Sequence, residues 1–179
     1  MRHATVLAMC LGCFVLGLAV RGGVAQSRQP VFMPEMFQHE DPAVAAVALL
    51  DGALQLAGSG SWERIAVGRA WYLSGDKAKG QQIFDSVTSS KKVENSDWFR
   101  IGRVYAEAGE WPRAREAFDR AMASKPNDDS GMVEYGAYAN VLKDRAKAEE
   151  LFLKAFKKNP REFWHWVGAG GSYLGVAPQ

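Results

Sequence analysis

The chain has 179 residues, 47% of them hydrophobic and 23% charged, with a formal net charge of +2. That length and mix suit one folded domain or a short repeat array, and they exclude a disordered or collagen-like chain, since the 18 glycines follow no three-residue period. The positive balance belongs to the N-terminal segment: without Arg2 and Arg21, Lys plus Arg falls from 22 to 20 against 20 acidic residues. A chain without net positive charge has no electrostatic basis for binding nucleic acid.

Met1-Arg2-His3 is a short basic start, followed by an apolar run from Val6 to Val20 and then by Arg21-Gly22-Gly23-Val24-Ala25. The small residues Gly23 and Ala25 predict a signal peptide over 1–25, cut after Ala25, which would place the protein in the periplasm or outside the cell. The run of 15 residues is short of the roughly 20 that span a bilayer, so a membrane enters only if the segment stays on as an anchor. Cys10 and Cys13 are the two cysteines, and they sit too near the start for ordinary lipid attachment. Cleavage would remove both, leaving neither a disulfide nor a thiolate.

Residues 26–41, with Pro30 and Pro34, show no period and read as an extended lead-in. Asp41-Pro42 is a helix start, Asp as cap and Pro in the first turn, and predicts a capping helix over 42–57. Gly58-Ser59-Gly60-Ser61 follows as a hinge.

Beyond the hinge the chain repeats. Trp98, Ile101, Gly102 and Tyr105 are followed by Gly109 and Trp111, then by Ala114, Phe118, Ala121 and Pro126. Thirty-four residues on come Met132, Tyr135, Gly136, Ala139, Ala148, Phe152, Ala155 and Pro160; 34 back come Arg64, Val67, Gly68, Trp71, Gly75, Gly80, Phe84 and Val87. A further step reaches Trp166, Ala169, Gly170 and Tyr173. The unit from Trp98 to Pro126 resembles the tetratricopeptide repeat at every signature position, and its 34-residue register runs through three full units and the first helix of a fourth.

The resemblance implies an all-α fold, a right-handed α-solenoid of helix-turn-helix units. The units are expected at 61–94, 95–128 and 129–162, flanked by capping helices at 42–57 and 163–179. A glycine inside a helix costs about 1 kcal/mol relative to alanine, so Gly68, Gly102 and Gly136 predict a facing helix too close for a side chain. Lys77, Gly80 and Lys92 depart from the pattern and predict a loose first unit. Lys143 replaces the turn glycine, so the third hairpin is expected to be built differently. Asn159-Pro160-Arg161-Glu162 predicts another helix start. The end of that helix, with Gly168, Gly170, Gly171 and Gly175, either frays or packs on another molecule.

No catalytic or phosphate-binding motif is present, and beyond the signal only His39 and His165 remain. His39-Glu40-Asp41 reads as a solvated linker rather than a metal site, and His165 as a packing or surface residue. The expectation is a protein that is no enzyme, has no cofactor, metal or small-molecule substrate, and binds a protein or peptide. The resemblance places that site in a concave groove lined by first helices: Trp62, Ile65, Arg69 and Tyr72; Phe99, Arg100, Arg103 and Glu107; Val133, Ala137 and Asn140; and Trp164. Arg69 and Arg103, 34 residues apart, are expected to stack on adjacent helices, either gripping a ligand with acidic and apolar groups or shielding the inner face, and to add little to packing. Arg113 and Arg120, on a second helix, are expected to face outward. The Lys/Asn carboxylate clamp of some family members is not reproduced by Ile65 and Arg69. The alternative is a self-assembling or envelope-complex component that docks through its apolar, glycine-rich C-terminal end.

Overall fold

The computed structural model describes residue 31 and residues 33–178; the apolar run 6–20, both cysteines and the cut after Ala25 lie outside the described residues. Among the described residues, a 3-10 turn at Pro34–Met36 precedes eight α-helices: α1 Pro42–Ala57, α2 Ser61–Leu73, α3 Lys77–Thr88, α4 Asn95–Glu107, α5 Trp111–Ser124, α6 Asp129–Val141, α7 Arg145–Lys158 and α8 Phe163–Tyr173. Among the described residues there is no strand. Helices α2 and α3, α4 and α5, and α6 and α7 form hairpins; α2 also packs on α4, and α6 on α8, while α1 leans on α2. The molecule is a helical-repeat solenoid.

Acidic caps punctuate it. Asp76, Glu110 and Asp144 stand at the N-caps of the second helices, and Glu94, Asp128 and Glu162 at those of the first helices that follow. A carboxylate there accepts from orphan backbone N–H groups and opposes the helix dipole. Asp76, Asp128 and Asp144 bond to the N–H of Lys79, Gly131 and Lys147 at 3.0, 3.0 and 3.3 Å. Helix α8 therefore begins at Phe163 with Glu162 as its cap, not at Asn159-Pro160; Pro160 only ends α7, since it cannot continue the ladder of N–H donors.

The third hairpin is built like the second. Lys143 takes φ 71°, beside 74° at Gly109, and the N–H of Asp144 reaches the Ala139 carbonyl at 2.8 Å as Glu110 N–H reaches Tyr105. The lysine accepts the left-handed geometry that the closing bond requires, at a cost of order 1 kcal/mol.

Each hairpin closes on one glycine and one phenylalanine. A Cβ on Gly68, Gly102 or Gly136 would lie 2.6, 2.7 or 2.7 Å from the ring of Phe84, Phe118 or Phe152. The first unit is not loose: a Cβ on Gly80 would come within 2.7 Å of the Gly68 carbonyl oxygen and the Tyr72 Cβ, so its second helix presses on α2 backbone to side chain. Phe84, Phe118, Tyr72 and Tyr135 are buried along the axis of the array. His165 is buried too, edge-on to Phe156 and 3.8 Å from a carboxylate oxygen of Asp129.

The C-terminal tail does not fray. Gly175 turns at φ 81°, the N–H of Val176 bonds the Gly171 carbonyl at 3.0 Å, and the chain doubles back along the concave face. There the Tyr138 hydroxyl donates to the Pro178 carbonyl oxygen at 3.1 Å.

Candidate functional site

Successive first helices turn the same side inward, because a 34-residue repeat returns each position to the same azimuth. That side holds a cleft of about 620 Å³. Helix α2 contributes Trp62, Ile65, Ala66 and Arg69; α4 contributes Arg100, Arg103, Val104 and Glu107; Tyr138, Val141 and Leu142 close the far wall, and Ala177 and Pro178 enter from the tail.

The stacked arginines are present, but each is tied to the next helix. Arg69 of α2 reaches Glu107 of α4, Nη2 to Oε2 at 2.7 Å. Arg103 of α4 grips Glu134 of α6 with two parallel bonds, at 2.7 and 2.8 Å. They form a ladder across three helices, so Arg103 contributes to packing between units, contrary to the sequence expectation. Hydrogen bonds to Glu134 hold the Arg103 guanidinium above its ordinary pKa. Burial pushes the Tyr138 phenol, beside this ladder, up to about 12. Arg100 differs: its guanidinium lies 3.6 Å over the Trp62 ring, it makes no ion pair among the described residues, and its Nε is buried without a hydrogen-bond partner. With two arginines neutralised by two glutamates, Arg100 sets the sign of the cleft.

Several expected lining residues lie elsewhere. Tyr72 is 1% exposed, with its ring 5.7 Å from Phe84 and 5.5 Å from Tyr105. Three residues on from Arg69, about 300° of helical rotation, Tyr72 turns toward Tyr105 and Glu110 of the next unit instead of the concavity. Phe99 is buried against Phe118, centroids 5.6 Å apart, and Ala137 is fully buried. Asn140 donates to Ser172 Oγ at 3.0 Å, joining α6 to α8. Trp164, 70% exposed, and Val133 line a second crevice of about 460 Å³ on the other side of Ala177-Pro178, so the tail divides the concave face. Tyr138, Val141, Leu142 and the tail were not signalled by the repeat pattern, because their role comes from the fold-back.

A polar network centred on Glu110, at the turn between α4 and α5, reaches α2 and α3. This cap residue accepts from Lys77 and Tyr72 and pairs with Arg113. Those bonds, Lys77 first, lower its carboxyl pKa, while burial and then the bond to Glu110 raise that of Tyr72. Arg113 stacks 4.3 Å over Tyr105 and donates to Tyr72 and Gln81, so it is a bridge between units and not an idle outward residue. Lys77, where the pattern has an aromatic, supplies a second cation to Glu110 beside Arg113. Arg120 does face outward, pairing with Glu116 at 2.8 Å. Among the described residues no three His, Cys, Asp or Glu side chains cluster to hold a metal, and no helix is long and apolar enough to cross a membrane.

A solenoid of helical hairpins with a lined concave face defines the class. Within it, residues 96–128 match the family model of the tetratricopeptide repeat. No curated protein matches the chain. Repeats of that family serve protein–protein interaction, and the matched segment supports that general role here. Such helical folds are typically scaffolds without catalytic activity.

Proposed function

We propose that this protein is a scaffold of the periplasmic or secreted compartment that captures an extended segment of another protein in its concave cleft. The observation that carries the reading is the chain's own tail: Ala177-Pro178 lines the cleft, held by the Tyr138 hydroxyl on a main-chain carbonyl. A cleft with walls of Trp62, Ile65, Val104, Val141 and Leu142 suits small apolar side chains, and main-chain contacts suit a peptide rather than a small metabolite. Arg100, stacked and unpaired, is the group that would take a carboxylate or carbonyl of the partner. The compartment rests on the basic start, the apolar run and the small residues at Gly23 and Ala25.

Screening the protein against a library of extended peptides tests this. Peptides that bind the wild type should lose at least tenfold in affinity to Arg100→Glu and to Trp62→Ala, and nothing to Lys125→Gln on the exposed end of α5. Equal binding by all four proteins would remove the cleft from the reading. Detection of the intact residues 1–25 on protein recovered from the cell would remove the cleaved signal.

A further inference from the structure

Among the described residues the repeat leaves one half-unit uncovered before α2 and one after α7, and the halves match. Gly68, Gly102 and Gly136 each meet a phenylalanine ring of their partner helix, at 2.6–2.7 Å from where a Cβ would stand. Gly170 is the next glycine in register, and a Cβ there meets nothing within 4 Å. Around it α8 exposes Trp166 and Tyr173, the register mates of Trp98 and Tyr105, at 63% and 51%. Among the described residues, helix α8 is thus a first helix whose partner face is bare.

At the other end, α1 carries the second-helix set. Ala46, Leu50 and Ala53 stand 34 residues before Gly80, Phe84 and Val87. In α5 and α7 the alanines of this set, Ala114, Ala121, Ala148 and Ala155, are all 0% exposed; in α1, Ala46 is exposed, and Leu50 and Ala53 are half-buried. Among the described residues, helix α1 is thus a second helix with no first helix across from its small-residue face. The two ends are also opposite in charge. Residues 33–57 carry Glu35, Glu40, Asp41 and Asp51 and no Lys or Arg, whereas residues 154–178 carry Lys154, Lys157, Lys158 and Arg161 against Glu162.

We infer that α8 of one molecule receives α1 of a second copy, the two helices completing a repeat across the junction. The contact continues the glycine-to-side-chain packing that the chain already uses three times, with Leu50 of the second copy in the place of the phenylalanine over Gly170. Because the two surfaces differ, the association is head to tail, and it yields chains of molecules that end in a ring only where the rotation from copy to copy closes. It is independent of the concave cleft, which stays accessible along each copy.

Sedimentation of the purified full chain across a wide concentration range tests the inference. The weight-average mass of the wild type should rise with concentration. Gly170→Glu should be monomeric, as should Ala46→Glu; both positions have open space around them, so far-ultraviolet circular dichroism should match the wild type. An equimolar mixture of the two variants should form a heterodimer and nothing longer, because each retains one competent end. A wild type that stays monomeric overturns the inference. So does association by Ala46→Glu alone, which would mean that α8 meets another α8, or association that survives both substitutions. Should either variant misfold, Leu174→Glu and Val47→Glu, at 84% and 43% exposure, provide the same pair of blocked ends.

Discussion

Arg103 of α4 and Glu134 of α6 meet edge to edge in a two-bond pair whose side chains are 30% and 21% exposed. A hydrogen-bonded pair this sheltered matters to folding as well as to the cleft. Arg103→Glu would set a carboxylate against Glu134 and near Glu107, and should cost about 1–3 kcal/mol in urea unfolding. Arg69→Glu removes a pair 53% and 37% exposed and should cost no more than about 1 kcal/mol. Combining Arg103→Glu with Glu134→Arg should recover most of the loss. A double variant as weak as the single one would mean that the pair does not hold α4 to α6.

Glycines in register should respond with opposite signs. Gly102→Ala gains about 1 kcal/mol of helix propensity but drives a methyl to 2.7 Å from Phe118, so its melting temperature should fall. Gly170→Ala meets nothing and should melt higher when measured at a concentration where the protein is monomeric. Phe118→Ala, which empties a fully buried site, should cost about 3–5 kcal/mol. Equal shifts at the two glycines would contradict the packing described.

Lys143 and Gly109 offer a test of the turn. Both hold a left-handed backbone, φ 71° and 74°, but only glycine does so without a Cβ penalty. Lys143→Gly should stabilise the protein by about 0.5–1 kcal/mol, and Gly109→Ala should destabilise it by a similar amount. Thermal melts of the two variants decide it.

The alkaline limb of stability should depend on Tyr138. Burial raises its phenol from 10.0 to about 12, so the folded state holds this proton more tightly than the unfolded chain. The stabilisation is complete below pH 10 and is lost as pH rises from 10 toward 12. Tyr138→Phe should flatten the fall of unfolding free energy in that window. An unchanged slope would mean that the phenol ionises as freely in the fold as outside it.

The fold was readable because its packing is periodic: Gly102 and Phe118, repeated every 34 residues, state both the helix and its distance from the next. The acidic caps share that spacing, Asp76 with Glu110 and Asp144, and were legible in principle though no motif names them. The cleft was legible only in part. Ile65, Arg69, Arg100 and Arg103 follow from the azimuth of a helix, but Tyr72 and Phe99 lie one step around the same helices, where a small rotation turns a lining residue into a core residue. Pairing partners such as Glu134, and the return of Pro178 to Tyr138, come from tertiary geometry that no local pattern carries.

The tail gives the last prediction, which bears on the proposed peptide site. Ala177-Pro178 occupies part of the cleft and is held there by one hydroxyl-to-carbonyl bond. Any ligand that extends toward Tyr138 must displace it. A net hydrogen bond is worth about 1 kcal/mol, so deleting residues 177–179 should tighten binding of such a peptide about fivefold, while helix content stays the same. Tyr138→Phe releases the tail but also removes the donor that the peptide would use, so it should leave affinity near the wild-type value. Salt should act weakly on both proteins, because Glu107 and Glu134 already balance Arg69 and Arg103, leaving Arg100 as the charge that counterions can screen. Isothermal titration of the full chain, the deletion and Tyr138→Phe against one bound peptide at two salt concentrations reads all three effects. If the deletion binds no tighter than the full chain, the tail does not compete for the site, and the bound segment lies nearer Trp62 and Arg100.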